Sequence, residues 1–203
     1  MYFGNGVDKW IWKADVSGAF TVSSMKSIIQ ASNADEEVEV WDWNPLVPIK
    51  LNTFGWRLLL NWLPTADVLR KRGILIGPSM CPLCNMANES ADHIFASCYV
   101  ASVIWNAVSR WCGLDPIDVS SVRDIFEIHR SATSSSYKRQ VIHAIITTTC
   151  WTLLKTRNNI IFNNGSFKVD GIKGEVKSSS FLWVKYKAKR INVEWNRWIS
   201  FDL

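Results

Sequence analysis

The sequence predicts a mainly α protein: a helical domain with an N-terminal β-hairpin and a central loop of three cysteines and a histidine. Three observations predict it. Apolar residues recur at helical spacing in segment after segment from Ile49 onward. Apolar and polar residues alternate on both sides of Val16, Ser17 and Gly18. Cys81, Cys84, His93 and Cys98 fall within one short window. With 203 residues, 48% of them apolar and 12% aromatic, the chain has enough apolar surface for a core without covalent staples. The twelve tryptophans spread from Trp10 to Trp198 read as large core side chains whose indole N–H groups need partners.

In chain order, KWIWKADVSGAFTV gives the hairpin, with Gly18 at a positive φ in the turn. Ser23 or Ser24 caps a helix through Ile29, and the acidic run Asp35 to Glu39 is a solvated linker. Pro45 and Pro48 lead into a largely buried helix marked by Ile49, Phe54, Trp56, Leu58, Leu59 and Trp62 that stops before Pro64. Thr65 caps a short helix that ends at Gly73. A helix from Tyr99 to Trp111 terminates at Gly113, and another follows Ser120 and Ser121 through His129. SATSSS is a polar break with the composition of a hinge. Tyr137 to Phe162 reads as one long buried helix despite its threonines, and Val169 to Arg190 as a last helix that interleaves apolar residues with lysines. These elements divide the chain into a hairpin and linker (1–48), a helical domain around the cysteines (49–130) and a basic helical extension (137–203).

The spacing Cys-x2-Cys-x8-His-x4-Cys suits a tetrahedral zinc site, in which thiolate and imidazole are the usual structural donors. A Cys-x2-Cys pair turns both sulfurs toward one ion, and Pro82 restricts that turn. His93 and Cys98, five positions apart, stand about 140° apart around a regular helix and cannot share an ion from an unbroken one. The expectation is therefore a short turn over residues 90–96, an irregularity at Ser97 or Cys98, and a fresh helix near Tyr99. Four protein donors leave no open position for water, so the site reads as structural. Glu89 and Asp92 are candidate acceptors for the free imidazole nitrogen. The alternative is a set of reduced thiols beside an ordinary histidine. Cys112 and Cys150, at helical spacing among apolar residues, read as small buried hydrophobes.

The net charge of +5 is uneven: residues 137–203 hold twelve Lys/Arg against four Asp/Glu, whereas residues 1–48 hold three against seven. A basic end of this kind suits a polyanion, and a solvated lysine-rich face gives the same count. No apolar run approaches the ~18 residues of a membrane span and no secretory leader pattern is seen. The expectation is an intracellular protein of the nucleus or cytoplasm, with no membrane partner and no small-molecule substrate.

PIKLNTFGWRLLLNWLPTADVLRKRGI followed by CPLCNMANESADHIFASCYVASVIWNAV resembles the zinc-binding domain that follows the polymerase in plant non-LTR (LINE-type) reverse transcriptases. DKWIWKADVSGAFTVSSMKSII is similar to the segment that enters that domain, and CWTLLKTRNNIIFNN with SFLWVKYKAK resembles its C-terminal extension. The resemblance implies Cys81, Cys84, His93 and Cys98 as zinc ligands. It also implies RNA or DNA as partner, with Arg70, Lys71 and Arg72 before the metal loop and Lys185, Lys187, Lys189 and Arg190 near the end as candidate phosphate contacts. Trp183 and Tyr186 either stack on unpaired bases or pack inward. No adjacent aspartates occur and no nucleophile or glycine-rich phosphate loop is evident, so a non-catalytic module is expected ahead of an enzyme built on His129 and His143. A zinc-stabilised scaffold for protein interaction, or a retroelement fragment, is the alternative.

Overall fold

The computed structural model describes residues 11–27, apart from 14, 16 and 26, and residues 41–202, apart from 75, 76, 78, 134 and 189–192. The chain divides into two compact units, Met1–Val40 and Trp41–Leu203. In the first unit the described residues form no β-hairpin, which corrects the sequence expectation. The Trp12 N–H donates to the Gly18 carbonyl at 2.9 Å and Gly18 takes φ 71°, as a turn there requires, but no ladder follows among the described residues. A two-stranded ribbon with no third strand is marginal in water. Instead Trp12 meets the Phe20 ring edge-on at 5.0 Å and donates its indole N–H to Ser24 Oγ at 2.8 Å. Thr21, not Ser23 or Ser24, caps the helical turn over residues 22–25, because its Oγ1 accepts the Ser24 N–H at 3.1 Å. The end of that helix at Ile29 and the acidic run lie outside the described residues.

The second unit is built of helices: α1 (Ile49–Leu59), α2 (Ala66–Lys71), a π-helical turn (His93–Ser97), α3 (Tyr99–Cys112), α4 (Val122–Ser131), α5 (Ser136–Asn163), α6 (Val169–Lys187) and α7 (Trp195–Ile199). The stops are chemical. α3 ends where Gly113 takes φ 64°, and α4 begins with a capping box in which Ser121 Oγ accepts from the Asp124 N–H and Asp124 accepts in return. Among the described residues the only β feature is an isolated antiparallel bridge between Met80 and Asn88, and no helix is long and apolar enough to cross a membrane.

α5 is the spine. At 28 residues it runs about 42 Å and packs against α1, α3, α4, α6 and the π turn, so residues 49–130 and 137–203 contribute to one core. Three of its buried threonines satisfy themselves: the hydroxyls of Thr147, Thr148 and Thr149 donate to the carbonyls of His143, Ala144 and Ile145 at 2.9, 2.6 and 2.8 Å. Buried tryptophans likewise find acceptors, Trp105 on the Phe95 carbonyl at 2.7 Å and Trp111 on the Trp198 carbonyl at 3.0 Å. Trp41 lies flat on α1, where a Cβ on Gly55 would come within 2.1 Å of its ring. Asn52 fixes this strap, accepting the Asn44 N–H and donating to the Asn44 carbonyl, both at 2.9 Å.

Beside the strap, the His129 and His143 rings stack at 4.3 Å between centroids, with the Phe126 and Trp41 rings edge-on to His143. His129 Nε2 meets Asp42 Oδ2 at 3.3 Å, and Arg130 binds the same carboxylate at 3.1 Å. Burial holds both imidazoles below their ordinary pKa, His143 down to about 3. The unfolded chain therefore takes up protons that the folded chain refuses. This contribution is complete above about pH 6.5, the unfolded value, and fades as the pH falls toward the folded one, at up to about 1.4 kcal/mol per pH unit for one such group. Urea titrations at pH 7 and pH 5 will show a lower midpoint at pH 5. His143→Phe will narrow that gap, and an unchanged gap would remove His143 as its source.

Candidate metal centre and basic surfaces

Two local devices bring the cysteines and the histidine together. The first is the CPLC turn. The Cys81 N–H donates to the Ala87 carbonyl and the Glu89 N–H to the Ser79 carbonyl, both at 2.7 Å, while Asn85 closes the turn on the Cys81 carbonyl at 2.8 Å with φ 53°. The second is the π turn. The Cys98 N–H donates to the His93 carbonyl at 2.7 Å, five residues back. Such a turn sets residues five apart nearly one above the other, which an α-helix does not. Cys98 then leaves the helix at ψ 135° and serves as the N-cap position of α3. The sequence placed the irregularity at Ser97 or Cys98; the structure begins it at His93 and ends it at Cys98.

The four ligand atoms lie within 4.8 Å of one another. Cys81 Sγ and Cys98 Sγ are 4.0 Å apart, and Cys84 Sγ is 3.2 Å from His93 Nε2. Around a tetrahedral zinc, bonds of about 2.3 Å to sulfur and 2.0 Å to nitrogen put neighbouring donors roughly 3.5–3.8 Å apart, so the set fits. Ser97 Oγ lies 3.4 Å from His93 Nδ1, while Nε2, the other ring nitrogen, is the one that faces Cys84 Sγ. Cys81 and Cys98 are fully buried, Cys84 and His93 half-buried.

The electrostatics favour thiolate at one end. The Cys81 thiol hydrogen-bonds to Cys98, and the free amides of Ala101 and Val100 in the first turn of α3 also face it, so the Cys98 thiol sits below its ordinary pKa. Its partner Cys81 is pushed up by that shared hydrogen bond and by burial. Burial also lowers His93, which keeps the imidazole neutral and available as a ligand. Cys112 and Cys150 stand apart in the core, their thiols raised by burial, Cys112 to about 12.

Sequence reasoning misplaced the two nearby carboxylates. Glu89 does not support the imidazole; its buried carboxylate accepts from Arg157 Nη2 at 2.5 Å, Arg157 Nε at 3.0 Å and the Ala66 N–H at 2.8 Å. It therefore ties the metal loop to α5 and caps α2, the role that Thr65 was expected to fill; the Thr65 hydroxyl instead donates to Asp67 at 2.6 Å. Asp92 accepts the Val122 N–H at 2.8 Å and joins the loop to α4. The one available signal was Arg157 itself, an arginine late in an apolar helix.

Arg70, Lys71 and Arg72 stand exposed at the end of α2, with no ion pair among the described residues. Lys185 and Lys187 are exposed at the end of α6, and Lys185 lies over the Phe181 ring at 5.3 Å. Lys189 and Arg190 lie outside the described residues. Of the two interleaved aromatics, Trp183 packs partly against the core and Tyr186 is 78% exposed. The structure thus unites the four metal donors and leaves the basic residues on two separate helix ends.

Residues 20–105, which hold all four donors, match the family model described as zinc-binding in reverse transcriptase. The match covers less than half of the chain and stops within α3. No curated protein and no solved structure matches the chain.

Reduced protein will carry about one equivalent of zinc by atomic absorption, and Cys84→Ser or Cys98→Ser will lose most of it. A ratio near zero in fresh wild-type material would refute the site. Separately, Glu89→Ala strands a buried guanidinium and will lower unfolding free energy by about 3–5 kcal/mol; an apolar pair, Glu89→Leu with Arg157→Met, will recover much of that loss.

Proposed function

We propose that the chain is a non-catalytic, zinc-closed module derived from the reverse transcriptase of a plant non-LTR (LINE-type) retrotransposon, and that its partner is RNA or DNA. The observation that carries this reading is the coincidence of two independent facts. The segment that matches the reverse-transcriptase zinc family is the one whose three thiols and imidazole converge on a common centre. With all four positions of a tetrahedral ion taken by protein, such a site holds a loop in shape and offers no place to activate water. The two histidines an enzyme would need do meet, but as stacked neutral rings held by aromatic packing.

The nucleic-acid partner rests on charge. Arg70, Lys71 and Arg72 project from a short helix whose first N–H is fastened to Glu89 within the metal loop, so the zinc site orients them. Side chains free of acidic partners are the ones that release counterions when they meet phosphate. The C-terminal third adds an excess of eight positive charges. A protein-interaction scaffold is favoured by a different observation, the exposure of Met80 and Met86 in the same loop at 41% and 76%.

Anisotropy titration of the zinc-loaded chain against single-stranded RNA separates the two. A nucleic-acid module will show log K falling linearly with log salt. Replacing Arg70, Lys71 and Arg72 together by Ala will reduce that slope by about 2, at roughly 0.7 per phosphate contact. Absence of binding at low salt leaves the scaffold reading.

A further inference from the structure

The end of α5 and the start of α6 meet at a corner, residues 164–168, with a cleft of about 720 Å³ beneath it. That volume suits a nucleotide-sized ligand. Phe162, on the last turn of α5, is 72% exposed and lines both this cleft and a second, more apolar one beside the metal loop. Its ring therefore divides two hollows and contributes little to the core.

The cleft is lined by asparagine amides, two lysines and Glu175, alongside the apolar side chains of Trp151, Phe167 and Ile172. Asn163 Nδ2 donates to Asn159 Oδ1 at 3.2 Å, and Arg157 Nη1 donates to Asn158 Oδ1 at 2.9 Å. The amide N–H groups of Asn158 and Asn159 are left with no acceptor among the described residues. Lys155 pairs with Glu175 across the cleft, whereas Lys168 has no ion pair among the described residues. The corner itself is rigidly made. Asn164 takes φ 49°, the Gly165 N–H donates to the Asn159 carbonyl at 3.0 Å, and a Cβ on Gly165 would lie 1.9 Å from the Asn159 amide. Gly165 is thus what lets the Asn159 side chain fold over the turn.

We propose that this corner is a subsite for an unpaired nucleobase of a single-stranded nucleic acid. The base stacks on Phe162, its ring nitrogens or carbonyl oxygens accept from the Asn158 and Asn159 amides, and a flanking phosphate meets Lys168. An exposed aromatic beside solvent-accessible amide donors and a lysine with no ion pair among the described residues matches the three parts of a nucleotide: a flat face, acceptor edges and a negative backbone. A purely apolar peptide would leave those donors unsatisfied. A paired base inside a duplex hides its face, so the site selects single strands. The inference rests on the nucleic-acid reading above and concerns the α5–α6 corner, a different set of residues from the arginines of α2.

The test is anisotropy with zinc-loaded full-length protein and fluorescein-labelled single-stranded RNA, single-stranded DNA of the same sequence, and the corresponding duplex. Phe162→Ala will weaken binding of both single strands by about tenfold at unchanged salt slope, and will leave duplex binding alone. Phe162→Trp will restore the affinity. Lys168→Ala will lower the single-strand salt slope by about 0.7. Unchanged circular dichroism and zinc content in Phe162→Ala keep folding out of the comparison. Should the wild type bind single strands while Phe162→Ala binds them equally well, or loses the duplex to the same degree, the corner is not a base subsite and the module reading survives. Should the wild type bind no nucleic acid at all, both readings fall together.

Discussion

The buried carboxylate of Glu89 is the constraint on which the second unit depends. The loop between α2 and α3 has almost no regular structure of its own, one isolated bridge and one π turn among its described residues. Such a segment must be held from within and from outside. From within, three thiols and an imidazole converge on one centre. From outside, Glu89 joins the loop to the α2 N-terminus and to Arg157 on the spine helix, and both charged groups are almost completely buried. A charge pair withdrawn from water in this way is a weak source of net stability but a strict one of geometry, because either partner alone would be left buried and uncompensated.

The long helix α5 turns that local fastening into a global one. Arg157 anchors the metal loop near its C-terminal end, and the stacked imidazole of His143 anchors the strap from Trp41 near its N-terminal end. Between them the threonines and apolar side chains are buried on nearly all sides, which is why α5 lacks the polar face of a surface helix. The matched zinc family ends within α3, yet the loop it covers is clamped by residues of α4 and α5 beyond it. The metal loop and the later helices share one core for that reason.

The surface chemistry follows the same division. Rigid parts set positions: the metal loop orients α2, and the turn at Gly165 orients Asn159. Arginines and lysines at helix ends and the Phe162 ring between two clefts are among the parts that reach solvent. In the nucleic-acid reading proposed above, binding energy comes from side chains already held in place, which limits the entropy lost on contact.

Residue type and spacing alone singled out the four side chains that converge and most of the helices, because ligand chemistry and helical periodicity are local properties. CPLC must turn, Gly113 must stop a helix, and His93 with Cys98 cannot share an ion from a regular one. The N-terminal hairpin failed because alternation is only a local pattern, whereas a strand needs a partner ladder that the described residues do not supply. Thr65 and the two carboxylates were misassigned for a related reason: a cap or a charge partner can come from any distance along the chain, and Arg157 lies 68 residues from Glu89. Sequence by itself determined which atoms can bind the metal. Tertiary structure decided which charges are paired and which remain free for a partner, since that depends on what folding brings within a few ångströms.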